Sequence, residues 1–134
     1  LPPGTSDEPI SIAQLIPGLD GAIVVTTPQE VALLDSRKAV NMFLMMNVPM
    51  LGIVENMSGL VCPHCGQRIE VFKTGGGENA ARELGVPFLG AIPLDTEIGR
   101  LGDMGKTFAN KDTAAARSFE GIVKSILAQL EGKP

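Results

Sequence analysis

Three short apolar runs rich in β-branched residues, at 21–26, 50–55 and 86–92, punctuate the chain, and helical patterns fill the intervals. Runs of this length suit strands buried on both faces, the condition of a parallel sheet covered by helices. After the first run, Thr27, Pro28 and Glu30 spell a capping box with proline at the first helical position. Ala32, Ser36, Ala39, Val40, Phe43 and Met46 then recur at helical spacing as far as Asn47-Val48-Pro49. A helix over about 78–84 stops at Gly85, and a last one over about 113–130 carries Phe119, Ile122, Val123, Ile126, Leu127 and Leu130 on one stripe. The alternation predicts an α/β fold, part of a doubly wound parallel sheet flanked by helices and joined by right-handed crossovers. A segment at 56–74 breaks the rhythm and reads as an insert.

Composition narrows what such a fold could do. Fifteen Asp+Glu against 11 Lys+Arg argue against nucleic acid, whose backbone is held by clustered positive charge. With 4% aromatic residues and no Trp or Tyr, stacking platforms and membrane aromatic belts are unsupported. The longest uncharged stretch, 39–54, is broken by Asn41, Asn47 and Pro49, so no membrane span is expected. Only 19% of residues are charged and the mean hydropathy is +0.20, high for a chain of 134 residues with so much surface to cover. That excess predicts apolar faces covered by something else, and hence one part (1–134) of a larger domain. Two neighbouring cysteines and no apolar leader make the cytoplasm the expected compartment.

In open α/β sheets, ligands bind beyond the carboxyl ends of the strands. Those ends are Thr26-Thr27-Pro28, Glu55-Asn56-Met57 and Pro93-Leu94-Asp95, with Leu1 to Thr5 a fourth if a strand preceded it. Asn56 could read a purine edge or merely begin a turn. Asp95 could hold a nucleotide or cap the next helix. Thr74-Gly75-Gly76-Gly77 could cradle a phosphate on bare amides, but it lacks the Gly-Lys-Ser/Thr of a nucleotide loop and reads better as a flexible return from the insert. Met42, Met45, Met46 and Met50 read as adaptable core.

The sharpest local signal is Cys62-Pro63-His64-Cys65-Gly66. Its C-x-x-C spacing sets two sulfurs on one side of a tight turn, as zinc or an iron–sulfur cluster requires, yet supplies two ligands where a closed site needs four. His64 lies inside the turn and would point away. A second copy across a two-fold axis could complete the set. A redox pair and a turn without metal remain the other readings. The one histidine lies in this turn, so no Ser/His/Asp hydrolase can be assembled.

Five strings taken together resemble the Mrp family of ATPases, iron–sulfur cluster carriers within the MinD/ParA group of P-loop NTPases. They are Leu1-Pro2-Pro3-Gly4-Thr5-Ser6-Asp7, Ile23 to Gln29, Gly52 to Ser58, Cys62 to Gly66, and Val86 to Asp95. The resemblance covers the C-terminal half of the family's domain. It implies that Asn56 contacts adenine, that Pro93, Leu94 and Asp95 border the base and ribose, and that Pro3 and Gly4 sense the γ-phosphate. Cys62 and Cys65 would each give a ligand to a [4Fe–4S] cluster bridging a homodimer, with zinc as a possible substitute and apo iron–sulfur proteins as recipients. The phosphate-binding lysine loop of the family is absent from these residues, and Ser6 replaces a usual glycine. ATP and Mg therefore belong to the full-length protein, and this chain alone is expected not to hydrolyse ATP. A zinc-stabilised binding module is one alternative. A MinD-like spatial regulator is the other, disfavoured because the last helix balances Arg117 and Lys124 against Glu120 and Glu131 rather than presenting a basic face.

Overall fold

The computed structural model describes residues 7–62 and 64–132. Helix α1 (Glu8–Leu15) leads, with Pro9 in its first turn, where the missing N–H removes no helical bond. Strand β1 (Ala22–Thr26) and helix α2 (Glu30–Met45) follow. Strand β2 (Met50–Val61) runs parallel to β1, with Ile23 opposite Gly52 and Thr26 opposite Glu55. The two-residue β3 (Arg68–Ile69) returns antiparallel along the far end of β2. Helix α3 (Gly76–Leu84) leads to β4 (Phe88–Leu94), parallel to β2 on its other side. Helices α4 (Thr96–Asp103) and α5 (Ala114–Glu131) complete the order.

Both faces of β2 are buried, as its apolar run predicts. On one face Val24 and Ile53 pack with Leu33, Ala39 and Val40 of α2 and with Ala80 and Ala81 of α3, the small side chains allowing close approach. On the other face Val54 and Leu89 meet Ile122 of α5. Helix α5 packs mainly on β4, so β1 keeps Val25 56% exposed on that side, and Val31 and Leu34 of α2 are exposed too. Gly52 of β2 sits close against the segment leading into β4. Its φ is +146°, and a Cβ there would stand 2.5 Å from the Pro87 carbonyl oxygen, which accepts the Ile53 N–H at 2.9 Å.

Three details depart from the sequence reading. The capping box does not form: α2 begins at Glu30 after Gln29, without a side-chain cap, while Thr27 Oγ1 contacts Gln29 Oε1 at 3.4 Å. Pro28 is buried instead, its carbonyl oxygen beneath Gly76, so packing outweighs the local cap signal. Strand β2 does not stop at Glu55 but runs on through Asn56 to Val61. Helices α1 and α4 lie in stretches whose periodicity was too short to mark them.

Candidate functional site

The carboxyl ends of β1, β2 and β4 form one rim, as parallel pairing requires. The candidate nucleotide residues divide between two depressions on it. Pro93, Leu94 and Asp95 line a cleft of about 410 Å³ together with Leu60, Thr96 and Ala114. Asn56 instead lines a cleft of about 280 Å³ with Thr26, Thr27, Asp35 and Ser36. The two are adjacent, because Asn56 pairs with Ile92, the residue before Pro93. Pro3 and Gly4 lie outside the described residues.

Each polar candidate already has a local bond. Asn56 Oδ1 accepts the Met57 N–H at 3.0 Å, a turn-forming contact that leaves the Nδ2 group as its donor towards a ligand. Met57 takes a left-handed φ of 58° and Gly59 one of 72°. The strand bulges there, since Asn56 and Leu60 pair with Ile92 and Leu94, four residues spanning what two span on β4. Asp95 caps α4, its Oδ1 accepting the Glu97 N–H at 2.9 Å. Asp95→Ala is therefore expected to lower stability by about 1 kcal/mol in a denaturant titration, while Asp95→Asn stays close to the parent. Equal losses in the two variants would refute the capping role.

Beyond the bulge, β2 and β3 make a hairpin whose tip is the cysteine turn. Leu60 pairs with Ile69 and Val61 with Arg68. The Cys62 N–H donates to the Gln67 carbonyl oxygen at 2.9 Å, and the Gly66 N–H donates to the Cys62 carbonyl oxygen at 2.9 Å. Gly66 closes the turn at φ +71°, where a side chain would be strained. Both cysteines are free, Cys62 half-buried and Cys65 exposed. The backbone amides of His64 and Cys65, with the Cys65 side chain, hold the Cys62 thiol below its ordinary pKa and so favour the thiolate that binds metal. Among the described residues no group of three or more His, Cys, Asp or Glu side chains gathers. The two thiols thus suit a soft metal or cluster whose remaining ligands come from elsewhere.

A residue that sequence reasoning passed over ties this hairpin down. Glu55 is 1% exposed, and its carboxylate oxygens accept the N–H of Gly77 at 2.7 Å and of Gly75 at 3.3 Å. The glycine triplet is therefore neither a phosphate cradle with bare amides nor a loose return, because the protein supplies its own anion there. A single acidic residue ending an apolar strand, followed some twenty positions later by glycines opening a helix, was the available signal.

Against known proteins, residues 1–127 match the ParA family model described as NUBPL iron-transfer P-loop NTPase. An iron-sulfur cluster carrier protein of Methanocaldococcus jannaschii is 52% identical over 132 residues, which are 98% of this chain and 46% of that protein. One from Pyrococcus horikoshii is 50% identical over 131 residues, 97% of this chain and 44% of the relative. The chain thus spans somewhat under half the length of these relatives. Among solved structures, a nucleotide-binding protein of Archaeoglobus fulgidus in complex with ADP, with Co, superposes at a TM-score of 0.71 and 35% identity, covering 89% of this chain and 48% of that one. The cell division ATPase MinD of Pyrococcus furiosus superposes at 0.62 and 22% identity, over 81% and 43% of the two chains, a likeness of fold.

Proposed function

The chain belongs to the NUBPL-type iron-transfer P-loop NTPases of the ParA group, and from that premise we propose that it is the cluster-holding and base-contacting part of an ATP-dependent iron–sulfur carrier. Two copies hold one [4Fe–4S] cluster as cargo, each giving Cys62 and Cys65. The observation that carries this reading is the exposed hairpin tip with two thiols, one shifted towards thiolate, and no third ligand beside them among the described residues. A cluster with two ligands per chain at an exposed edge can be handed to an apo iron–sulfur protein by ligand exchange. Zinc fits the same sulfurs and is the competitor to be scored.

ATP, with Mg, would be bound by the longer protein at the strand-end rim. Asn56 would face the base, Pro93 to Asp95 would border base and ribose, and Pro3 and Gly4 would sit towards the γ-phosphate. The ADP complex of the Archaeoglobus fulgidus relative supports nucleotide binding in general. Exposed Ile23 and Val25 fit a sheet that continues in the longer relatives, residues 1–134 being the C-terminal part of one domain. The one Gly-Lys-Thr of these residues, Gly105-Lys106-Thr107, has Arg100 where a nucleotide loop places its first glycine, so on this reading the chain does not hydrolyse ATP by itself. The working place would be the cytoplasm. The test is transfer: the iron-loaded chain is mixed with an apo iron–sulfur acceptor, and the acceptor's visible absorbance is followed after separation. Gain of the acceptor's spectrum supports the carrier. Iron that stays with the donor contradicts it.

A further inference from the structure

We infer that Glu55 is the positioning residue of the cysteine-bearing hairpin, clamping its return limb to β2 just before the bulge that leads into it. Strand β2 bulges after Asn56, the next residue in sequence, on its way to the hairpin, and the chain comes back at Gly75 to Gly77, where α3 begins. The hairpin's outgoing limb is held to the sheet where Leu60 pairs with Leu94, and the β2–β3 pairs and the Arg68 guanidinium donating to the Ser58 carbonyl oxygen at 3.3 Å join the two limbs, but none of these ties reaches Gly75 to Gly77. The Glu55 carboxylate supplies the missing anchor from inside the fold. The first amides of a helix have no intrahelical acceptor, and Gly75 at the cap position has no side chain to offer one. A carboxylate at that end is doubly favoured, by charge-assisted bonds and by the helix dipole.

The glycines let the clamp close. A Cβ at Gly77 would stand 3.0 Å from Glu55 Cβ and 3.2 Å from Oε2, and one at Gly76 would stand 2.6 Å from Leu33 Cδ1. With both oxygens engaged and the side chain 1% exposed, Glu55 is not itself a ligand of metal or nucleotide. It instead makes the exit and the return of the hairpin one rigid piece. The consequence for cargo rests on the carrier reading above, whereas the clamp itself does not.

The experiment compares the parent chain with Glu55→Gln by amide hydrogen exchange without metal, then by the rate at which a chelator strips iron after anaerobic loading. Glu55→Gln keeps one acceptor oxygen but loses the charge and sets an amide group against an N–H. Exchange at the Gly75 and Gly77 amides, on the return limb of the hairpin, is expected to speed up by about tenfold, the loss of one charged hydrogen bond, with β1 and α5 unchanged. Iron is expected to be stripped faster in similar proportion. Equal hairpin exchange in the two proteins would overturn the clamp even if both bind iron alike. Faster hairpin exchange in a chain that takes up no iron would uphold the clamp and remove the carrier reading. Should Glu55→Gln not fold, Gly77→Ala gives the same readout, since its Cβ pushes the carboxylate off the amides while keeping the charge. Unchanged hairpin exchange in Gly77→Ala would again overturn the clamp.

Discussion

Replacing Cys62 and Cys65 together with alanine is expected to abolish iron uptake on anaerobic reconstitution while leaving the chain folded. Cys65 is exposed and Cys62 half-buried, so little apolar contact is lost. The two hydrogen bonds that shape the turn run through the backbone N–H and carbonyl of Cys62 and do not need its sulfur. The thermodynamic change should stay within about 0.5 kcal/mol, the range of surface substitutions. The metal-binding change should be complete, because the described residues offer no second cluster of ligands. Iron per chain, visible absorbance and mass in solution should fall together if, as proposed, the cluster joins two copies. Retention of half the iron or more would show that other groups hold it.

Gly52→Ala is expected to have the largest effect on the fold. Its Cβ would lie 2.5 Å from a backbone carbonyl oxygen that is itself hydrogen-bonded, and 2.8 Å from Leu89 Cγ in the second core. The φ of +146° adds backbone strain that only glycine escapes. Strain and overpacking together should cost on the order of 2–5 kcal/mol, a large share of a domain's total. Denaturant titration against Gly99→Ala gives the contrast. Gly99 lies in α4 with nothing within 4 Å of an added Cβ, so alanine there should be neutral or stabilising by up to about 1 kcal/mol. A Gly52→Ala loss below about 1 kcal/mol would mean that β2 and β4 are less tightly joined than described.

The parallel α/β frame was legible because the strands are short apolar runs separated by helical spacing, a signal that does not depend on distant partners. Thr113 was legible as a helix start for the same local reason, and its side chain accepts the Ala116 N–H at 3.1 Å. Thr27 carried the same kind of signal and failed, because Pro28 is drawn into packing under Gly76 and the first turn starts two residues later. The extension of β2 was hidden by Asn56, Met57, Ser58 and Gly59, which read as the start of the insert. They remain in the strand because left-handed φ values at Met57 and Gly59 absorb the extra length. Glu55 was hidden differently: its partners lie 20 and 22 residues away, beyond any periodicity window. At the site, the cysteine turn could be found from spacing alone. The separation of Asn56 from Pro93 to Asp95 into two clefts depends on that same bulge.

The carrier account is tested most directly by reconstituting the parent chain anaerobically with iron and sulfide and measuring iron, sulfide and mass on one sample. The account predicts about four irons and four sulfides per two chains, in a brown dimer that dissociates when the cluster is removed. A colourless monomer, or one that keeps zinc in preference to iron, would contradict it.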